Sequence, residues 1–359
     1  MTLIKDFEKY IKNISSKDKI AVLHDTDPDG ICSAVIIAKT LQKLKNKKIT
    51  YRSGLAEKKL SGKIQKILKR KGITKLIILD ISSDQDLENL RKVSKKIDVL
   101  ILDHHKIYFN KKIKNVLLIK PQLISKYKPY EYCTAKLAYD LCSRLVEIKD
   151  MDWIAATASI ADIAHKPWKE WLKKVFKRNK IKMKKDLFKT KPGKLASMIS
   201  SAEVSDKKNV AKCYQIIYNA NSLKQAFTKE LKKIKKKVDK ELKRLIKGFK
   251  KSEKYKSLYI YEITSKIEGI KSPLSTILGL KYPHRTIVII SRKGSKARIS
   301  ARRGDKEVAV NSLLEKAARD LPAANAGGHV PSAGATISVR DYPKFKKRLI
   351  EEYSRLENK

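Results

Sequence analysis

The chain has 359 residues, more than one hydrophobic core usually serves, and 42% of them are apolar, so two globular units with connecting structure are expected. Lysine and arginine number 84 against 37 aspartates and glutamates, and the net charge of +47 favours a polyanionic partner, nucleic acid being the natural candidate. A membrane protein is excluded by the lack of any run of about 18 apolar residues; a zinc knuckle or disulfide framework is excluded by the wide spacing of Cys32, Cys133, Cys142 and Cys213. With a charged start, MTLIKDFEKYIKNISSKDKI, unlike a signal peptide, the expectation is a soluble, cytoplasmic protein with reduced, packed cysteines.

Short β-branched runs open the chain and alternate with amphipathic segments. Strands are predicted at Ile20 to Leu23, Ile49 to Arg52, Leu76 to Leu79, Val99 to Leu102 and Val116 to Ile119, with helices at Ile31 to Leu41 and Gly62 to Lys71 between them. Near-continuous apolar strands are buried on both faces, so the reading is an α/β fold with an open parallel sheet over residues 1–165. Residues 166–256 are dense in lysine and carry few strand signals; here Leu231, Ile234, Val238, Leu242, Leu245 and Phe249 recur at steps of three or four, the pattern of a long amphipathic helix. This stretch is expected as a basic helical connector, its Trp168, Trp171 and Phe176 serving as core or interface residues. Strand signals return at Leu258 to Ile263, Thr286 to Ile290 and Ala297 to Ala301, followed by the small-residue stretch AANAGGHVPSAGATI and a charged helix. Residues 257–359 therefore read as a second, smaller α/β domain.

Acidic and histidine clusters follow the predicted strands of the first domain. His24-Asp25-Thr26-Asp27-Pro28-Asp29-Gly30 comes after the first strand, Asp80 after the third, Asp103-His104-His105 after the fourth, and Ser159-Ile160-Ala161-Asp162 further on. A single Asp at a strand end is commonly a turn former or helix cap. Several clusters at the carboxyl edge of one sheet, where open parallel sheets bind ligands, are different. Gathered carboxylates need cations, and oxygen with imidazole donors suit Mn²⁺ or Mg²⁺, so a site for two metal ions is the economical explanation.

With H-D-T-D-P-D-G, the lone Asp80 after L-I-I-L, the D-H-H triplet and S-I-A-D in this order, the sequence resembles the DHH superfamily, which the triplet names. Gly327-Gly328-His329 followed by Ser332-Ala333-Gly334 resembles the glycine-rich signature of the associated DHHA1 domain, and Ser300-Ala301-Arg302-Arg303 its substrate-binding segment. Two departures from the family pattern stand out: Lys120, where Asn often precedes Pro121, and Ser159, where Gly is common.

The resemblance implies a DHH domain joined by basic helices to a DHHA1 domain and a metal-dependent phosphodiesterase, a RecJ-like exonuclease releasing nucleotide monophosphates from single-stranded DNA or RNA. By position, Asp25 or His24 with Asp27 would hold one ion, Asp29, His104 and Asp162 the other, and Asp80 would bridge them. Asp103 would orient His104, and His105 would meet the substrate phosphate. Ser300, Arg302, Gly327, Gly328 and His329 would hold the nucleotide being cut. Two rivals stand beside this reading: a phosphodiesterase of short substrates such as nanoRNA or cyclic dinucleotides, and an inactive replication scaffold on the same fold. A helicase or replisome protein partner is compatible with the first reading.

Overall fold

Ile20, Ala21, Val22 and Leu23 are all buried, and their side chains alternate between two cores. Ile20 and Val22 join Ile77, Leu79, Leu100 and Leu102 in one; Ala21 and Leu23 join Leu76, Ile78, Val99 and Ile101 in the other. Burial on both faces is why these segments read as apolar runs rather than as a polar alternation. The computed structural model describes residues 2–55, 59–109 and 111–357.

The first sheet comprises β1 (Ile20–His24), β2 (Tyr51–Gly54), β3 (Lys75–Leu79), β4 (Asp98–Leu102) and β5 (Val116–Ile119), all parallel, in the order β2-β1-β3-β4-β5. The helices Pro28–Lys45, Thr134–Cys142 and Asp152–Ala161 fill one core, and Gly62–Arg70 and Leu87–Ser94 cover the opposite face. Chain order reverses between β1 and β3, so their carboxyl ends flank the crevice in which such sheets bind ligands.

The basic middle is not a segment apart, as 166–256 was expected to be. Leu172, Val175 and Phe176 of helix Lys169–Arg178, Leu195 and Ile199 of Lys191–Ser205, and Cys213 and Ile217 of Lys207–Asn219 all belong to the first core. Lysines on the outer faces of these helices obscure narrow apolar stripes in the sequence. One compact unit accordingly runs through Glu203 and includes Lys207–Lys235, while the other takes Val204–Asp206 and Lys236–Lys359. The amphipathic helix Lys229–Gly248 contributes Leu231 to the first unit's core and Val238 and Leu245 to a core of the second.

The second unit is built on β6 (Glu253–Tyr255), β7 (Leu258–Ile263), β8 (Thr286–Lys293), β9 (Lys296–Arg303), β10 (Asn325–His329) and β11 (Ser332–Ser338). Their order is β10-β11-β9-β8-β7-β6, with β7 and β8 parallel and the other pairs antiparallel. Helices Val310–Ala318 and Tyr342–Glu357 pack on one face and Lys271–Lys281 on the other. The small-residue stretch forms the β10–β11 hairpin; its glycines and alanines gave no strand pattern in the sequence. Among the described residues no helix is long and apolar enough to cross a membrane.

Candidate metal centre

The turn after β1 is dictated by its sequence. Asp27 caps the Pro28–Lys45 helix, its carboxylate accepting from Gly30 N at 2.8 Å, and Pro28 takes the first helical position, where its missing N–H costs nothing. A Cβ on Gly30 would lie 2.5 Å from the Asp25 carbonyl oxygen, so only glycine fits this reversal. Asp25, Asp27 and Asp29 are thereby presented at the carboxyl end of β1. Asp80, directly after β3, has φ +61, a left-handed conformation that costs ~1–3 kcal/mol away from glycine. Its N–H donates to Leu102 O at 2.9 Å and its Oδ1 accepts from the Thr134 hydroxyl at 3.1 Å, which fix it there.

Ligand atoms from four separate segments meet at this edge. Asp25, Asp27 and Asp80 offer one cluster, Asp29, His104 and Asp162 a second, and Asp80, His104 and His105 a third, the ligand atoms within each cluster lying within 4.8 Å of one another. Asp80 and His104 each belong to two clusters, so the three form one continuous site. His104 Nδ1–H donates to Pro129 O at 2.9 Å, which turns Nε2 toward Asp80 Oδ1 at 3.4 Å and Asp162 Oδ2 at 3.7 Å. Asp29 is clamped from outside, accepting from Thr134 N at 2.7 Å and Ala135 N at 2.8 Å at the start of the Thr134–Cys142 helix.

The crowding is electrostatically costly without a cation. Burial, with Asp25 and Asp29 nearby, pushes the Asp27 carboxyl up to about 8; burial and the charges of Asp29, Asp27 and Asp25 raise Asp80 well above the usual carboxylate range. Burial lowers His104, but Asp29 and Asp162 outweigh it and bring the ring above its ordinary value. Five carboxylates and two imidazoles in this arrangement match the preference of Mn²⁺ and Mg²⁺ for oxygen-rich sites.

Two expected roles are redistributed. His24 is turned away from the clusters: its Nδ1–H donates to Asp25 O at 2.6 Å, and Nε2 accepts from Arg52 Nη1 at 2.9 Å. Burial and the Arg52 guanidinium hold its ring down at about 3, so it stays neutral, with both nitrogens used; Asp25 is the residue that reaches the ligand cluster. Asp103 orients His105 rather than His104. Its Oδ1 accepts from His105 Nδ1 at 2.6 Å, while the Pro129 carbonyl holds His104.

Sequence reasoning missed the partner that holds Asp103. Lys120 is completely buried, and its ammonium lies 2.8 Å from Asp103 Oδ2, 3.0 Å from Asp84 Oδ1 and 2.7 Å from Lys106 O. Burial alone would raise the Asp103 carboxyl; the hydrogen bond and charge of His105 and the charge of Lys120 hold it well below the usual range. The sequence offered one signal, a lysine standing where the family often has Asn.

In the second unit, β9 carries Arg298, Ser300 and Arg302 on one face, as alternate residues of a strand must be. Ser300 lies opposite Gly334, which lies opposite Gly327, and Arg302 lies opposite Ser332, which pairs with His329. Ser300 Oγ is 2.9 Å from Ser275 Oγ, and Arg302 Nε donates to Thr276 Oγ1 at 3.2 Å. Gly328 has φ +144, and a Cβ there would lie 2.5 Å from Ser332 O, so the backbone demands glycine; at Gly327 a Cβ would meet nothing closer than 4.0 Å. The side chain of His329 lies outside the described residues. Burial and the charges of Arg298 and Arg302 lower the Lys271 ammonium, and none of these three cations has a carboxylate partner among the described residues. Lys271 and Arg298 were not singled out in the sequence, although Arg298 is two residues before Ser300 on the same face.

Comparison with known proteins agrees with this architecture. The DHH family N-terminal domain matches residues 19–165 and the DHHA1 domain residues 265–355, together well over half the chain. No curated protein matches in a sequence search. Among solved structures, the chain is similar to a manganese-bound exonuclease RecJ, with TM-score 0.74, 16% identity, and coverage of 99% of this chain and 95% of that one. It is also similar to CDC45 from Entamoeba histolytica, at TM-score 0.67 and 11% identity over 98% of each chain. A third similar structure is the pGpG-specific phosphodiesterase of Vibrio cholerae, at TM-score 0.50 and 14% identity over 93% of this chain and 98% of that one. At such identities the structures establish a shared fold. With both domain matches, the D-H-H triplet beside Asp80 and the glycine hairpin of the second unit, the chain belongs to the DHH superfamily of phosphoesterases.

Proposed function

We propose that this protein is a divalent-metal-dependent phosphodiesterase that removes nucleotide monophosphates from an end of single-stranded nucleic acid. The observation that carries the reading is the continuity of the ligand clusters: Asp25, Asp27 and Asp80 on one side, Asp29, His104 and Asp162 on the other, linked through Asp80 and His104. Two Mn²⁺ or Mg²⁺ ions held by these residues would supply hydroxide at neutral pH and neutralise the phosphate oxygens under attack. The protein's own part is positioning. Asp80 bridges the two ligand sets, Thr134 and the Leu102 carbonyl keep it in its left-handed conformation, and Pro129 fixes the tautomer of His104. His105, half-exposed and anchored by Asp103, is the group oriented to meet the substrate phosphate.

In the second unit, the Ser300 and Arg302 face with the glycine hairpin, and the cations Arg298 and Lys271 beside it, suit a nucleotide phosphate, Arg302 as a bidentate donor. A net charge of +47 favours a polymer over a small phosphate ester. A scaffold without catalysis is disfavoured because every ligand residue of both sets is retained.

The test is product analysis. A labelled strand longer than the ~4–16 nucleotides that a single-strand groove covers is offered beside a dinucleotide, with Mn²⁺. Stepwise release of mononucleotides from the strand supports the exonuclease. Turnover confined to the dinucleotide replaces it with the short-substrate reading, and binding without cleavage replaces it with the scaffold.

A further inference from the structure

Outside both family-matched regions, the first unit contains a cavity of about 660 Å³ formed by the basic middle of the chain. Its floor is apolar, made by Phe188, Met198 and Phe227, and Phe188 is 43% exposed. Its rim is cationic: Lys191 and Lys194 come from helix Lys191–Ser205, Lys224 from Leu223–Ala226 and Lys232 from Lys229–Gly248. None of these four lysines has an ion-pair partner among the described residues, and no acidic residue lines the cavity. An exposed aromatic ring on an apolar floor, with these four ammonium groups and that of Lys235 around it, is complementary to a ligand that is itself aromatic inside and anionic outside.

We propose that this cavity is a second binding site for single-stranded nucleic acid, in which one base stacks on Phe188 and flanking phosphates meet Lys191, Lys194, Lys224 and Lys232. Stacking on an aromatic side chain tolerates every base, and lysines grip phosphates without reading sequence, so the site suits a non-specific strand. The proposal rests on the strand-degrading function above and specifies where the uncut strand is held. The connection to the metal centre runs through the first unit's own packing. The turn Leu187–Lys189, which carries Phe188, packs against helix Asp152–Ala161, whose C-cap is the ligand residue Asp162. The cavity and the ligand residue Asp162 are thus joined through one helix of the first unit.

The experiment measures the full chain's affinity for a fluorescent oligonucleotide by anisotropy over a range of salt, in EDTA so that nothing is cut. The variants are Lys191→Ala/Lys194→Ala, Phe188→Ala and Phe188→Trp, with Lys63→Ala/Lys66→Ala on helix Gly62–Arg70 as a charge-matched control. Loss of two phosphate contacts should flatten the slope of log affinity against log salt by about 1.4 for the cavity pair and leave the control slope at the wild-type value. Phe188→Ala should weaken binding about fivefold or more while Phe188→Trp retains it. Equal effects of both lysine pairs, or indifference to Phe188→Ala, would overturn the proposal. Strand cleavage by the wild-type chain is measured alongside. If the wild-type chain cleaves and the cavity variants bind unchanged, the cavity proposal fails alone; if the cavity effects appear but nothing is cleaved, the catalytic reading fails alone.

Discussion

Asp103 and His105, the outer members of the D-H-H triplet, are bonded to each other: His105 Nδ1 donates to Asp103 Oδ1 at 2.6 Å, while the central His104 is held by the Pro129 carbonyl and faces Asp80 and Asp162. The two imidazoles are thus held separately, His105 by Asp103 and His104 by Pro129, and both converge on Asp80.

This division predicts a selective defect. Asp103→Asn removes the anionic acceptor that holds the His105 ring but leaves every member of the two ligand sets intact. Turnover should fall roughly 10- to 100-fold, the usual effect of losing an orienting partner, while Mn²⁺ affinity changes much less than in Asp29→Asn. Calorimetric Mn²⁺ titration beside steady-state kinetics reads both. A larger loss of metal affinity than of turnover would contradict the assignment.

Lys120 should matter chiefly for stability. Replacing it with Met leaves Asp84 and Asp103 buried without their shared cation, a change that costs about 3–5 kcal/mol when one partner of a buried pair is removed. Urea unfolding of metal-free wild type and Lys120→Met measures the difference. A loss below about 1 kcal/mol, the range of exposed pairs, would show that the pair is not anchoring the turn.

The carboxylates set a pH dependence with a definite sign. Asp27 is pushed up to about 8 by burial and its neighbours Asp25 and Asp29, and Asp80 is raised in the same direction, from an ordinary value of 3.8. Both are protonated more readily folded than unfolded, so their contribution to stability is fully present below the unfolded value and is lost as pH rises through the folded one. In EDTA the Tm contribution of these groups falls toward pH 8. Mn²⁺ binds the deprotonated carboxylates, so the rise in Tm on adding it should be larger at about pH 8 than at about pH 6. Equal increments at the two pH values would contradict this.

The Asp80 backbone gives a further prediction. Thr134→Val removes the hydroxyl that donates to Asp80 Oδ1 but keeps the side-chain shape and the two backbone donors to Asp29. The left-handed conformation of Asp80 loses one of its two restraints, so Mn²⁺ affinity should fall about tenfold while the melting temperature of the metal-free chain stays within a few degrees of wild type. Unchanged Mn²⁺ affinity would remove Thr134 from the account.

Much of this was legible because strand ends and ligand residues are adjacent in sequence. Asp25, Asp80 and His104 follow runs whose apolar character is forced by two-sided burial, so the sheet and its carboxyl edge were read together. What was not legible depended on the direction each side chain takes and on contacts between distant segments. Nothing local tells that Asp103 turns to His105, that Pro129 holds His104, or that Lys120 reaches Asp84 thirty-six residues earlier. His24 looked like a ligand because it adjoins Asp25; Arg52, on the neighbouring strand β2, takes its free nitrogen. The β10–β11 hairpin escaped because Gly327, Gly328 and Gly334 carry no side chains to alternate, and the basic middle read as a connector because lysines outnumbered the apolar residues that place it in the first core.

The most direct test of the central claim is electron paramagnetic resonance of the metal-stripped protein titrated with Mn²⁺, for wild type and Asp80→Ala. Two ions bridged by Asp80, at the ~3.5–4 Å typical of two-metal sites, should give an exchange-coupled spectrum that saturates at two equivalents in wild type. Asp80→Ala should show only the signal of isolated ions. Isolated, uncoupled Mn²⁺ in the wild-type protein, or a coupled spectrum that survives Asp80→Ala, would contradict a two-ion centre bridged by Asp80.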